Sequence, residues 1–170
     1  MPNISPSFIA VILSVILLAS CSSEAAEPQA SGEKAPDFEV TTIAGDTITL
    51  QQSIDSDKPL VIYFTASWCP TCAQNWPVLS EVYPEYKDRL TLVAISIDPT
   101  DGENVIRKLA EEKGFTFPST RGYPQVMLDF GVDRQATTVG VNQEGYIEYR
   151  HVGAFDADEY RELFDSLFLN

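Results

Sequence analysis

Residues 59–72 read PLVIYFTASWCPTC, and their reading decides the fold. Pro59 to Thr65 is apolar and β-rich without alternation, the pattern of a strand covered on both faces. After Ala66 and Ser67 comes Trp68-Cys69-Pro70-Thr71-Cys72, and from Pro70 to about Tyr86 the residues Trp76, Leu79, Val82, Tyr83 and Tyr86 recur at helical spacing. A buried strand thus runs into a helix with two cysteines at the junction. Pro77, inside that helix, predicts a bend.

The placement has chemical consequences. A cysteine at a helix N-terminus meets unpaired backbone N–H groups and the positive end of the macrodipole, which lower its thiol pKa and make thiolate available at neutral pH. Cys69 is therefore the predicted nucleophile. Cys72, one turn later on the same face, can resolve the mixed disulfide that Cys69 forms. Pro70 suits a first helical turn, where no N–H partner is needed, and Thr71 shares with it the setting of the reduction potential. Trp68 is the candidate to shield the dithiol, whereas Trp76 reads as core.

Outward from this junction, Phe38 to Val40 and Thr47 to Leu50 flank Ala44-Gly45-Asp46 and predict a β-hairpin. Leu90 to Ile97 (LTLVAISI) is a second buried strand, and Thr100 with Glu103 suggests a capping box for a helix ending at Gly114. A short helix is expected around Gln125 to Phe130. Strands are expected at Thr137 to Val141 and Tyr146 to Val152, joined by a turn through Gln143-Glu144-Gly145. Asp156 with Glu159 caps a closing amphipathic helix carrying Tyr160, Leu163, Phe164, Leu167 and Phe168. This order predicts an α/β sandwich of three layers around a mixed central sheet, with the hairpin as an N-terminal extension.

The chain has 170 residues and a formal charge of −14, which excludes nucleic acid as a partner because that affinity needs clustered Lys and Arg. The acidic residues read as dispersed over a solvated surface. Ile9 to Leu18 is a continuous apolar run broken only by Ser14, short for a membrane span but suited to a signal-peptide core. Leu18-Ala19-Ser20-Cys21 after it resembles the lipobox of bacterial lipoproteins, which implies acylation of Cys21 once residues 1–20 are removed. The alternative is an uncleaved anchor; both place the rest of the chain outside the cytoplasm. Residues 22–34 are small, polar and Pro/Gly-bearing and extend the 21–34 segment as a flexible tether to a domain over 35–170.

The Trp68-to-Cys72 motif behind a buried strand, with Pro77 five residues after Cys72, resembles the thioredoxin superfamily. Ala35-Pro36-Asp37-Phe38 makes the chain similar to its extracytoplasmic TlpA, ResA and DsbE/CcmG group, with Phe130-Gly131-Val132, Thr137-Thr138 and Gly145 falling at comparable places. The resemblance implies a thioredoxin-like fold and a membrane-tethered protein-disulfide reductase or, as in some members, an oxidant, using no cofactor beyond the redox-active Cys69–Cys72 pair. It further implies exported thiol or disulfide proteins as substrates, apocytochrome c among them in some members, and a CcdA/DsbD-like membrane reductase as electron donor. Two positions depart from the family. Tyr63 stands where thioredoxins carry a buried acid, six residues before the first cysteine. Ala136 in Gln135-Ala136-Thr137 replaces the cis-proline of the substrate-facing loop, so the Gln135–Ala136 peptide is expected to be trans.

Other readings of the dithiol stay open. A thiol peroxidase uses the same fold, but peroxiredoxins place a threonine where Ala66 stands, three residues before Cys69. A non-catalytic metal-binding module would need further ligands, and only Cys21 and the single histidine, His151, add to the pair. His151 reads as an ordinary strand residue. No metal is expected.

Overall fold

A computed structural model describes residues 32–168. In chain order the elements are β1 (Glu33–Lys34), β2 (Glu39–Thr41), β3 (Thr47–Thr49), α1 (Leu50–Asp55), β4 (Leu60–Thr65), α2 (Cys72–Tyr86) and β5 (Thr91–Ser96). They continue with α3 (Glu103–Lys113), β6 (Ser119–Gly122), α4 (Pro124–Asp129), β7 (Thr137–Val141), β8 (Tyr146–Val152) and α5 (Ala157–Ser166). The main sheet has six strands in the order β1-β8-β7-β4-β5-β6, and β2 and β3 form a separate two-stranded sheet. β4 pairs in parallel with β5 and antiparallel with β7, so the sheet is mixed, as expected.

The unbroken apolar run explains the central position of β4. All six of its residues are buried, because both faces of the sheet are covered. Val61 and Tyr63 pack with Leu79, Val82, Tyr160 and Phe164 of α2 and α5 on one face. Leu60, Ile62 and Phe64 pack with Val40, Leu50, Val126 and Phe130 of the hairpin, α1 and the α4 region on the other. The layers are therefore helices α2 and α5, the sheet, and the hairpin with α1 and α4.

Three local expectations are corrected and one element is added. Leu50 begins helix α1 rather than ending the hairpin strand, because Thr49 caps that helix by accepting from Gln52 N–H while the Gln52 side chain accepts from Thr49 N–H. Strand pairing begins two residues before the expected domain start, since Glu33 and Lys34 pair with Ile147 and Tyr146. Thr100 does not cap α3: its amide and hydroxyl both donate to Asp98 Oδ1, and Gly102 takes the N-cap position. Residues 119–122 form strand β6 at the sheet edge, a polar segment whose strand character comes from pairing with β5. By contrast, Asp156 and Glu159 form the expected capping box of α5, and α4 falls where the short helix was expected. Helix α2 continues through both Pro77 and Pro84.

The N-terminal expectations, including the signal segment 1–20 and Cys21, lie outside the described residues. Among the described residues no helix is long and apolar enough to cross a membrane.

Candidate active site

Strand β4 ends at Thr65, and the backbone turns through Ala66 to Thr71 before α2 begins. Within that turn Cys69 N–H donates to Ala66 C=O at 3.1 Å, and Cys69 C=O accepts the first helical bond, from Ala73 N–H, at 3.1 Å. Cys69 thus stands in the turn just ahead of α2, whose N-cap position is Thr71. Its sulfur accepts from the N–H of Cys72, the first residue of α2, at 3.0 Å. Cys69 and Cys72 are joined as a disulfide with Cα atoms 5.2 Å apart. Cys69 is 2% exposed and Cys72 fully buried. When the bond opens, the amide aimed at Cys69 Sγ and the start of α2 favour a thiolate there.

The turn is held from the side by the segment after β5. Ser67 N–H donates to Asp101 Oδ2 at 2.9 Å and Ser67 O–H to Asp101 Oδ1 at 2.6 Å. Ser96 O–H donates to Asp101 Oδ2 at 2.6 Å. Asp101 is only 3% exposed, which corrects the reading of the acidic residues as a dispersed solvated surface. Trp68 donates its indole N–H to Asp98 Oδ2 at 2.6 Å while its ring stays 59% exposed. Two hydrogen bonds from Thr100, with that of Trp68, hold the Asp98 carboxyl below the usual carboxylate range. Trp68 therefore stands next to Cys69 with its ring exposed. Trp76 is core, as expected, donating to Thr65 Oγ1 at 3.2 Å.

Beneath the dithiol, Tyr63 is completely buried. Its hydroxyl accepts from Asn75 Nδ2 at 3.0 Å, and burial pushes its pKa far up despite that bond. Tyr63 thus keeps its proton at neutral pH and does not substitute for a buried base. Asn75 is itself fully buried, donating to Gly153 C=O at 2.9 Å and accepting from Phe155 N–H at 2.9 Å. It joins α2 to the segment after β8.

That segment in turn holds the loop before β7. Gly153 N–H donates to Ala136 C=O at 2.8 Å. The Gln135–Ala136 peptide is trans, and Ala136 adopts φ 57°, a left-handed conformation unusual for a residue with a Cβ. Ala136 is buried in the same cluster as Cys69 and Cys72, Thr137 is buried and Gln135 half-buried. His151 lies in β8 opposite Thr138, as an ordinary strand residue, with its ring 4.3 Å from Phe155. Among the described residues no group of three or more His, Cys, Asp or Glu is placed to hold a metal.

Sequence reading missed Asp101, Ser67 and Asn75. One signal for Asp101 was available: Asp98-Pro99-Thr100-Asp101-Gly102 follows the C-terminal end of a parallel strand, where sites in α/β sheets gather.

A dithiol at the start of the helix that follows the central strand of a thioredoxin-like sheet defines a thiol–disulfide oxidoreductase. The chain belongs to the AhpC/TSA family, whose profile matches residues 31–150. It is 30% identical over 135 residues to the thioredoxin-like protein YneN of Bacillus subtilis, covering 79% of this chain and 78% of that protein. It is 31% identical over 131 residues to the thiol-disulfide oxidoreductase ResA of Oceanobacillus iheyensis, covering 75% and 67%. Among solved structures, a thio-disulfide isomerase from Thermus thermophilus is similar with a TM-score of 0.68 and 25% identity, over 82% of this chain and 97% of that one.

Proposed function

We propose that the chain is an exported, membrane-tethered disulfide reductase that passes electrons from a membrane reductase to exported thiol proteins. The observation that carries the chemistry is the Cys72 amide aimed at Cys69 Sγ at the start of α2. The apolar run at Ile9 to Leu18 followed by Cys21 supports export and a lipid anchor.

In the forward direction the Cys69 thiolate attacks a substrate disulfide, forms a mixed disulfide and releases one substrate thiolate. Cys72 then loses its proton and attacks Cys69 Sγ, which releases the second substrate thiolate and leaves the Cys69–Cys72 disulfide. Two electrons have passed to the substrate. Since Tyr63 holds its own proton, water accepts the proton of Cys72. A CcdA/DsbD-like reductase returns the two electrons, and apocytochrome c belongs to the class of substrate this chemistry serves. Trp68, Pro70 and Thr71 border the dithiol on one side, with Gln135, Ala136 and Thr137 as the substrate-facing loop on the other.

Cys69→Ser is expected to abolish reduction of insulin or of an exported protein disulfide; retained activity would refute the assignment. A reduction potential below about −220 mV marks a reductant, and a value near the most oxidising members of the fold would reverse the direction. The AhpC/TSA match favours a second reading, peroxide reduction by Cys69. Ala66 in place of the peroxiredoxin threonine speaks against it, and the rate of peroxide consumption by the reduced protein decides it.

A further inference from the structure

We propose that Asp101 is the positioning residue of the dithiol, fixing the turn that presents Cys69 and biasing the pair towards the disulfide through its charge and that of Asp98. This rests on the reading of the chain as a thiol–disulfide oxidoreductase.

Three donors converge on the two oxygens of this buried carboxylate: the amide and hydroxyl of Ser67 and the hydroxyl of Ser96. Its own C=O accepts from Gly122 N–H at 2.8 Å, which fastens the segment to the end of β6. The packing there leaves no room for adjustment, since a Cβ on Gly122 would fall 1.9 Å from Asp98 C=O. Asp101 thus joins the ends of β5 and β6 to the residue two places before Cys69. Asp98, three residues earlier, holds the next residue, Trp68, through its indole N–H. The two residues that lead into the nucleophile are therefore each tied to a carboxylate.

The electrostatic consequence opposes that of the helix. The N-terminus of α2 and the Cys72 amide stabilise a Cys69 thiolate, whereas negative charge nearby destabilises it. A less stable thiolate makes the reduced form less stable, and the dithiol becomes a stronger reductant. Other ionisable groups at this end of the sheet are placed differently. Tyr63 is neutral, Asp133 and Arg134 form an ion pair with each other at 2.8 Å, and His151 is packed against Phe155 and near Glu159. Asp156 is occupied in capping α5.

The test is Asp101→Asn in the full-length protein, with Asp98→Asn and Ser67→Ala beside it. The dithiol is equilibrated with glutathione or dithiothreitol buffers, and Cys69 is alkylated with iodoacetamide across pH. For Asp101→Asn the equilibrium is expected to move about three- to tenfold towards the dithiol, corresponding to about 15–30 mV, and the alkylation midpoint to fall by about half to one pH unit. Asp98→Asn should shift both in the same direction by less, because its carboxylate is solvated. Ser67→Ala keeps the charge and should slow exchange with little change in potential. A lowered melting temperature with unchanged potential and alkylation profile in Asp101→Asn would overturn the proposal. If that variant does not fold, an unshifted Asp98→Asn overturns it equally. Wild-type protein that exchanges no disulfides would instead overturn the oxidoreductase reading.

Discussion

The two segments that meet at the dithiol are held in different ways. Residues 66–72 carry the chemistry, and most of their constraints are short-range: Cys69 bonds Ala66, Ala73 and the Cys72 amide, and only Ser67 and Trp68 reach across to the segment after β5. Residues 134–137 face them with a strained residue, Ala136, whose C=O is fixed by Gly153, itself fixed by Asn75 some 78 residues away in the chain. One side is written in neighbouring residues. The other is built from contacts that only the folded chain brings together, and it dispenses with the proline that pre-sets such a loop elsewhere in the superfamily.

The strongest way to break this contrast is to remove Asn75. Asn75→Ala leaves the Gly153 C=O, the Phe155 N–H and the Tyr63 hydroxyl without their buried partner. A loss of about 3–5 kcal/mol in stability is expected, since each unsatisfied buried group costs about 1–3 kcal/mol. Denaturant unfolding checks this. Activity should fall more for a protein disulfide than for a small one such as hydroxyethyl disulfide, because the dithiol turn itself is untouched. Equal losses on both substrates would mean that Asn75 does not act through the facing loop.

The next test restores what the family has. Proline fixes φ near −65°, and Ala136 stands at φ 57°, so Ala136→Pro cannot be accommodated without rebuilding the loop. A destabilisation of about 2–3 kcal/mol is expected, measured by thermal or denaturant unfolding. Ala136→Gly should act in the opposite sense, gaining about 0.5–1 kcal/mol as the Cβ strain of the left-handed conformation is relieved, less the extra freedom of glycine in the unfolded chain. A stabilised Ala136→Pro would show that the loop prefers the family conformation.

This contrast explains how much was legible beforehand. Six buried residues in a row announced β4, and the strand-to-helix junction around Cys69 needed only local patterns. Thr49 and Gln52 carried a readable capping box for α1, which went unread because Leu50 continued an alternating strand pattern. Thr100 and Glu103 offered the same signature and were misleading, since the Asp98 carboxylate captures Thr100 first. Apart from its place just after a parallel strand, Asp101 looks like any acidic surface residue in sequence, and β6 like a polar loop. Their roles come from Ser67, 34 residues from Asp101, from Ser96, five residues before it, and from the edge of β5. Ala136 could be seen as a missing proline, but its left-handed backbone depends on Gly153 and could not be read from its neighbours.

The smallest expected effect concerns His151, which sits beside the facing segment rather than the dithiol turn. Burial holds its pKa below the ordinary imidazole value, and Glu159 counters only part of that. The folded protein therefore binds this proton less readily than the unfolded chain. Above the ordinary value of about 6.5 both states carry a neutral ring, and the stability is fully present. As the pH falls through that value the unfolded chain gains a proton that the folded state resists, so stability drops until the folded pKa is passed. His151→Phe keeps the aromatic packing against Phe155 and removes the titration. Denaturation midpoints at pH 7.5 and 5.5 should converge in this variant relative to wild type. If the wild-type slope persists unchanged, carboxylates rather than the histidine set the pH dependence, and the facing segment is insensitive to charge on its neighbour.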